Sequence, residues 1–303
     1  MVTLTLNPAV DKSSTVGQVV AEAKLRCDKP MFEPGGGGIN VARAAQRLGG
    51  DALAVYTSGG QLGKMLEELL DEEKVRQRPF SISGLTRENL TVYERSSERQ
   101  YRFGMPGPEL SEDEAAGLLD EATKLMEGAD YMVASGSLPR GVPDGFYANL
   151  AEVAGEKGCR LIVDTSGGPL ERVSKKGAFM IKPNIRELKE LCGKDVSDPT
   201  AVDELAESML DTNEAVLVSL GSQGAHLVSR EGNLRIPAPT VPIKSKVGAG
   251  DSMVAGTVTK LAQGWDLFEA VRFGVAAGAA AVMTPGSELC RKEDAERLYE
   301  QLK

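Results

Sequence analysis

One acidic residue follows three small ones in the last quarter of the chain: Asp251 comes directly after Gly248, Ala249 and Gly250 in KVGAGDSMVAG (246–256). Small residues let several main-chain N–H groups point at one place, and the helix predicted after them adds the positive end of its dipole. The stretch therefore predicts an anion hole. A carboxylate repels a resting anion, so Asp251 fits a general base that takes a proton from a hydroxyl during phosphoryl transfer. Helix capping is the alternative role of Asp251.

A second glycine-rich stretch, EPGGGGINVARAAQRLGG (33–50), contains four consecutive glycines before a predicted helix. Such a run loses much chain entropy on folding unless the backbone must approach something closely. Asn40 falls in the first turn of the helix, whose N–H groups point back at the loop. We expect a polar ligand held by main-chain amides and one amide side chain, with a flexible turn as the alternative.

A third stretch, KPNIRELKELCG (182–193), places Asn184 and Glu187 three residues apart at a predicted helix start. Residues at this spacing share a helix face, and their hard oxygen ligands suit Mg²⁺ bound through waters. An N-cap with a capping-box glutamate explains the same spacing.

Two other glycine-containing stretches resemble parts of nucleotide-binding sites. VSLGSQGAHLV (217–227) reads as a strand, a glycine turn and a second strand, which either borders an adenosine phosphate or simply makes a hairpin. SGGQLGKM (58–65) has Ser58 where a P-loop and a dinucleotide fingerprint both need glycine, and Met65 where a P-loop needs Ser or Thr. Neither motif is present there, which argues against an NAD-dependent dehydrogenase.

The elements that must position these residues alternate between strands and helices. Several strands are apolar throughout, as is typical of parallel strands covered on both faces. The pattern predicts an α/β fold, a mostly parallel sheet between helices, with ligands outside the carboxyl ends of the strands. The predicted strands are 2–7, 51–58, 131–137, 159–166, 178–184 and 215–221, and the predicted helices include 39–50, 62–73, 109–128 and 203–211.

Two segments, 12–33 and 85–104, interrupt the alternation and read as strands, the second as a hairpin that turns at SSER (96–99). We expect them to form a small β-sheet lid inserted into a single domain that spans residues 1–303. The lid contains a basic set that either binds an anion or is a solvated hairpin face: Lys24, Arg26, Arg87 and Arg102.

Composition excludes several classes of protein. The 303 residues have a net charge of −9, which argues against a nucleic-acid surface. No apolar run approaches the length of about 20 residues that crosses a bilayer, and MVTLTLNPAVD begins as a strand rather than a leader. The four cysteines show neither zinc nor disulfide spacing, so we expect a cytoplasmic protein. The single histidine, His226, reads as a packed strand residue, which leaves a carboxylate as the catalytic base.

Taken together, GGGGIN and VGAGDSMVAG resemble the two signatures of the PfkB family of ribokinase-like sugar kinases, and the resemblance covers essentially the whole chain. LRCDKPMFEPGGGGINVARA, YRFGMPG, SGSLPRGV and VRFGVAAGAAA resemble the phosphofructokinase branch of that family. The resemblance implies a ribokinase-like three-layer sandwich with a β-sheet lid, a homodimer formed through the lids, and ATP-dependent phosphorylation of C1 of fructose 6-phosphate. A phosphosugar also suits the basic lid.

The resemblance also implies roles for individual residues. Asp251 matches the family's base, with Gly248, Ala249 and Gly250 as its anion hole. The positions matching those that hold the sugar are Asp11, Gly36, Gly37, Asn40 and the nearby Ser137, and those available to its 6-phosphate are Lys24, Arg26, Arg87 and Arg102. Positions matching the nucleotide and Mg²⁺ region are Lys182, Asn184, Glu187, Ser219, Gly221 and Gly224.

The family further binds a monovalent cation such as K⁺ near the loop before GAGD and the MTPGSE loop (283–288). In the second loop this chain has Thr284 and Glu288 in place of the expected Asn and Arg. Two alternatives stay open. A 1-phosphofructokinase or tagatose-6-phosphate kinase of the same family more often has Lys in the glycine run. A non-catalytic phosphosugar or nucleotide sensor on this fold would not need Asp251.

Overall fold

The computed structural model describes residues 1–193 and 199–303, and most of them lie in regular elements. The strands are β1 (Val2–Thr5), β2 (Ala9–Val16), β3 (Met31–Gly35), β4 (Leu53–Ser58), β5 (Gln77–Ser81), β6 (Arg87–Glu94), β7 (Arg99–Phe103), β8 (Tyr131–Ser135), β9 (Arg160–Asp164), β10 (Met180–Ile181), β11 (Ala215–Ser219), β12 (Ala225–Ser229) and β13 (Gly232–Ile236). The helices are α1 (Gly37–Arg47), α2 (Gly60–Glu72), α3 (Glu112–Met126), α4 (Phe146–Lys157), α5 (Gly167–Ser174), α6 (Ile185–Cys192), α7 (Pro199–Ser208), α8 (Ala249–Ala262), α9 (Leu267–Val282) and α10 (Lys292–Leu302).

The large sheet has the strand order β13-β12-β11-β10-β9-β8-β1-β4-β5. Strands from β11 to β5 are all parallel to their neighbours, whereas β12 is antiparallel to β11 and β13. The expected mostly parallel sheet is therefore confirmed, and so are the strand, turn and second strand at 217–227.

Helices cover both faces of this sheet and make a three-layer sandwich. Alternate strand residues point to opposite faces, so Val133 of β8 joins the core beneath α1, α2, α8, α9 and α10, while Met132 and Ala134 join the core beneath α3 to α7. His226 is buried within β12, as predicted. Among residues 1–193 and 199–303, no helix combines the length and apolar character needed to cross a membrane.

A separate four-stranded sheet in the order β3-β2-β6-β7 corresponds to the predicted lid, and we call it the small sheet. Its strand β2 pairs in parallel with β6, and β6 turns into β7 at the expected SSER hairpin. The first lid segment differs from the prediction of strand through 12–33. Strand β2 begins earlier, at Ala9, and residues 17–30, between the flexible Gly17 and the donor-free Pro30, lie outside the sheet.

The other predicted strands exist but are shorter than expected at their ends, whereas α1, α2 and α7 begin two to four residues earlier than predicted. The largest difference is β10, which has two residues instead of the predicted 178–184. Pro183 follows it after one residue and has no N–H for the ladder, although its carbonyl still accepts from Ser219 N at 2.9 Å. The strand ends where polar side chains begin, which is where the site forms.

Candidate active site

Polar residues line one edge of the large sheet, where its parallel strands end. Asn7, Ser137 and Lys182 follow β1, β8 and β10, and Asp164 and Ser219 are the last residues of β9 and β11. These five strands are consecutive in the large sheet, in the order β11-β10-β9-β8-β1. The edge is the place where ligands bind in open parallel sheets.

Helix α8 begins above this edge with the predicted anion hole. Gly248 is its N-cap with φ 74°, and a β-carbon there would lie 2.3 Å from Leu289 Cδ2. Glycine also offers no capping side chain, so the first N–H groups of the helix, at Ala249, Gly250 and Asp251, have no acceptor within the helix or from its cap. The end of α8 is therefore suited to an anion, and the anion hole stays a prediction.

Asp251 does not cap its helix. Its Oδ2 accepts a hydrogen bond from Asn40 Nδ2 at 2.9 Å, across 211 residues of sequence. Burial raises the pKa of Asp251 to about 7, and nearby Asp164 raises it as well, whereas the Asn40 hydrogen bond, Lys182 and Arg43 lower it. A carboxyl group with this pKa can exist in both protonation states near neutral pH, as a general base requires.

Lys182 lies beside both the hole and the base. Its Nζ is 3.0 Å from Asp164 Oδ1, and a β-carbon on Gly250 would be 3.6 Å from the same Nζ. Burial disfavours its charge, but Asp164, Glu187 and Asp251 together raise the pKa of Lys182. It therefore supplies a permanent positive charge next to the anion hole.

The glycine run packs against the ends of β1 and β8. Gly36 is the N-cap of α1 with φ 122°, and a β-carbon on Gly37 would lie 2.2 Å from Ser135 Oγ and 3.0 Å from Gly136 N. A β-carbon on Gly35 would lie 2.5 Å from an Asp11 carboxylate oxygen. The close approach predicted for these glycines is real, and much of it is to the protein itself. Asn40 reaches Asp251 because α1 starts so close to the sheet.

Asp11 on β2 faces the site from the small sheet. Its Oδ1 accepts from Asn89 Nδ2 at 2.8 Å. Burial raises the pKa of Asp11, while Asn89, Arg87 and Arg102 oppose that rise. Arg87 is already engaged, because its guanidinium donates to the main-chain carbonyls of Asn7, Pro8 and Met105 at 2.9–3.4 Å.

A cavity of about 650 Å³ lies between the small sheet and the loops at 245–247 and 285–287. Asp11, Asn89 and Arg102 line it, but Asp251 does not, so the cavity lies to one side of the proposed base. Lys24 and Arg26 are exposed in the segment 17–30 and do not line the cavity. One chain therefore brings together only part of the predicted basic set.

Asn184 and Glu187 form the capping box that the sequence offered as an alternative. Asn184 Oδ1 accepts from Glu187 N at 2.9 Å, and Glu187 Oε2 accepts from Asn184 N at 2.8 Å. The other carboxylate oxygen of Glu187 is not used by the capping box. Burial raises the pKa of the Glu187 carboxyl group. Within the described residues, no group of three or more His, Cys, Asp or Glu could hold a metal by itself. The donors fit Mg²⁺ that keeps most of its waters.

The predicted nucleotide turn joins β11 to β12 next to this capping box. Ser219 forms an isolated parallel bridge with Asn184. Gly221 and Gly224 have φ 60° and 96°, and a β-carbon on Gly224 would lie 1.9 Å from the Ile236 carbonyl oxygen. The turn requires glycine for its own packing, and it places Ser219 at the sheet edge with Lys182.

The predicted cation loop, 283–288, lies under α1. The guanidinium of Arg47 donates to the main-chain carbonyl of Glu288, and the Thr284 hydroxyl lies 2.8 Å from the carbonyl oxygens of Ala281 and Leu289. Ser287 Oγ is buried without a hydrogen-bond partner. An orphaned buried oxygen is a ligand type that suits a monovalent cation.

Four site residues were missed by the sequence reading: Asn7, Arg43, Asn89 and Asp164. Asn7 donates to Ser137 Oγ at 3.1 Å, which fixes the predicted Ser137 at the edge. Asn7 ends the predicted strand 2–7 and Asp164 lies near the end of the predicted strand 159–166, so their positions at the carboxyl ends of strands could have identified them. Arg43 and Asn89 lie inside a predicted helix and a predicted hairpin, and only the tertiary fold brings them to the site.

Comparison with known proteins identifies the family of the chain. Residues 4–294 match the model of the pfkB family carbohydrate kinases. ATP-dependent 6-phosphofructokinase isozyme 2 of Escherichia coli (strain K12) is 43% identical over 303 residues, 99% of this chain and 98% of that protein. Crystal structures of Escherichia coli phosphofructokinase-2 with potassium and with fructose-6-phosphate have TM-scores of 0.96 and 0.93, both at 42% identity and covering 100% of this chain and 98% of theirs. This chain belongs to the pfkB family of carbohydrate kinases.

Proposed function

We propose that this protein is an ATP-dependent 6-phosphofructokinase, which transfers the γ-phosphoryl group of ATP to the C1 hydroxyl of fructose 6-phosphate and forms fructose 1,6-bisphosphate. The observation that supports it best is the pairing of Asp251, whose pKa is about 7, with the main-chain N–H groups at the start of α8. The relatives named above support the same activity and substrate.

The chain's own groups have separate tasks in the reaction. Asp251 accepts the proton of the C1 hydroxyl as its oxygen attacks the γ-phosphorus, and ADP leaves. The N–H groups of α8 and the ammonium of Lys182 stabilise the negative charge on the transferring group. Asn40 holds Asp251, and Asp11 with Asn89 offers hydrogen-bonding oxygens and N–H groups to the sugar hydroxyls.

Two ions complete the proposal. Mg²⁺ bound with ATP neutralises phosphate charge, and Asn184 and Glu187 would hold it through waters. A monovalent cation such as K⁺ would bind near 283–288, where Ser287 has an unpaired oxygen.

The proposal also includes a cytoplasmic homodimer. Six of the large hydrophobic side chains that the described residues expose lie in the small sheet or its connecting segments: Val19, Val20, Leu25, Met31, Phe103 and Met105. Such a concentration of apolar surface is typical of an interface. We place the dimer contact there, and Lys24 and Arg26 remain predicted phosphate ligands.

The deciding experiment measures ADP release from the purified protein with a panel of fructose 6-phosphate, fructose 1-phosphate, tagatose 6-phosphate and unphosphorylated fructose. We expect the highest kcat/KM with fructose 6-phosphate. A preference for either other phosphosugar would identify a sister kinase, and ATP binding without ADP release on any sugar would identify a sensor. In the same assay, Asp251→Asn is expected to lower kcat by roughly 10²–10⁴, and unchanged turnover would refute the assigned base.

A further inference from the structure

A buried arginine lies behind the proposed base. Arg43 on α1 is only 2% exposed. Its Nε and Nη2 donate to the two carboxylate oxygens of Glu73 at 3.0 and 2.5 Å, and its Nη1 donates to the Pro34 carbonyl at 3.0 Å and to Asn40 Oδ1 at 3.3 Å. Every nitrogen of the guanidinium thus has an acceptor within the protein. Because unpairing a buried donor is unfavourable, Arg43 is not available as a substrate ligand.

The contact with Arg43 determines which way the Asn40 amide faces. A guanidinium has only donors, so the amide atom next to it must be the oxygen. The amide nitrogen then faces the other way, toward Asp251 Oδ2 at 2.9 Å. If the amide were rotated by half a turn, its N–H groups would face the N–H groups of Arg43, and its oxygen would face the carboxylate of Asp251. The orientation of Asn40 therefore follows from Arg43 and holds whether or not Asp251 is charged.

Arg43 also acts on the base through its charge. The groups that face Asp251 are Asn40 and Arg43 from α1, Asp164 at the end of β9, and Lys182 after β10. Asp164 opposes ionisation of Asp251, whereas Asn40, Lys182 and Arg43 favour it. Arg43 favours ionisation of Asp11 on the sugar side in the same way. One fixed cation thus lies within electrostatic reach of both carboxylates.

We infer that Arg43, clamped by Glu73, is a positioning residue for phosphoryl transfer, because it aims the Asn40 amide at Asp251 and places a fixed positive charge behind the base. The inference rests on the proposed function, in which Asp251 takes the proton from the sugar. Glu73 has its own role, since it holds the guanidinium from the far side at the end of α2.

The test is the pH dependence of kcat/KM with fructose 6-phosphate, which reports the pKa of the base in the free enzyme. In Arg43→Met we expect the acid limb to move upward by roughly half to one pH unit, the usual effect of removing a nearby opposite charge. Arg47→Met is the matched control. Arg47 lies one turn later on α1 and also contacts Glu73, at 3.5 Å, but it is not among the groups that shift the pKa of Asp251 most. Its acid limb should stay where it is in the wild type, and the comparison is confined to the acid limb because Arg47 also donates to the Glu288 carbonyl in the predicted cation loop.

Glu73→Gln distinguishes the effect of the Arg43 charge on Asp251 from a general effect of breaking the Arg43–Glu73 ion pair. It breaks the same ion pair but leaves the guanidinium beside Asn40, so its acid limb should not move upward. An Arg43→Met profile that matches the wild type, or an upward shift of the same size in Glu73→Gln or Arg47→Met, would overturn the inference. Urea unfolding of each variant distinguishes a lost fold from a changed profile.

Arg43→Lys keeps the test decisive if Arg43→Met does not fold. Lysine retains the charge but cannot hold Glu73 and Asn40 in one fork, so we expect a wild-type acid limb with kcat lowered at least severalfold. Wild-type kcat in this variant would refute the orienting role. Failure of the proposed function would appear differently, as a wild-type protein that phosphorylates no sugar phosphate.

Discussion

At the scale of single residues, the proposed base combines two conflicting requirements. Asp251 is kept from water and lies near a second carboxylate, Asp164, yet it must be ionised before it can accept a proton. The hydrogen bond from Asn40 and the charges of Lys182 and Arg43 offset that penalty only in part. The result is a group whose pKa is about 7, close to the pH at which an enzyme of this kind would work.

This compromise predicts that the active protein is less stable than an inactive variant. The pKa of Asp251 is higher in the folded state, about 7, than its ordinary value of 3.8, so ionisation favours the unfolded state as pH rises between these values. Asp251→Asn should therefore raise the free energy of unfolding at pH 8 by on the order of 1–4 kcal/mol, with the gain shrinking toward pH 4. Urea unfolding at both pH values measures it. Asp120→Asn, on the exposed face of α3, is the control, and equal stability of the Asp251 variant and wild type at pH 8 would contradict the expectation.

Arg102 is the residue on which phosphosugar selection is best tested. It lines the cavity with Asp11 and extends from β7 on the small sheet. Arg102→Ala should raise KM for fructose 6-phosphate by roughly 10- to 100-fold, because a charge-assisted contact to phosphate is lost, and leave KM for ATP unchanged. Arg99→Ala, on the same strand but away from the cavity, is the matched control. Equal KM values in the two variants would remove Arg102 from the phosphate site.

At the scale of elements, the glycine run sets the distance between α1 and the sheet edge. Gly37→Ala should destabilise the fold by about 1–3 kcal/mol and raise KM for the sugar, because its β-carbon would press on the main chain at Ser135 and Gly136. Gly155 of α4 provides the opposite case, since a β-carbon there meets nothing within 4 Å. Gly155→Ala should stabilise the protein by about 0.5–1 kcal/mol. Thermal unfolding of both compares them, and a neutral Gly37→Ala would show that α1 can shift.

Helix starts were predictable from the sequence because their signals are local. The capping box of Asn184 and Glu187 forms as its spacing allows, and the glycines before α1 and α8 occupy the positive-φ positions that require glycine. Strand lengths were predicted less well, as β10 shows, because a strand ends where its neighbour stops pairing. That information lies elsewhere in the chain.

At the scale of the whole molecule, the site depends on contacts between distant parts of the sequence. Asn40 meets Asp251 across 211 residues, and Arg43 meets Glu73 across 30. Periodicity and spacing do not reveal such pairs, and the family resemblance identified only the first pair's members. Arg43 read as an ordinary helix residue, and its burial beneath the base becomes apparent only when α1, α2 and α8 are assembled on the sheet.

The proposed dimer belongs to the same scale, because the small sheet leaves its apolar side chains uncovered within one chain. Met31 on β3 is 62% exposed, so Met31→Lys should weaken a dimer formed there by adding a charge to a surface that loses water on association. We expect wild-type protein to sediment at twice the chain mass of 32.2 kDa, and Met31→Lys to shift toward that single mass at low concentration. Ile243→Lys is the matched control, because Ile243 is 60% exposed in the loop before α8 and outside the small sheet. Dissociation in the control alone would place the interface elsewhere, and a monomeric wild type would exclude the dimer.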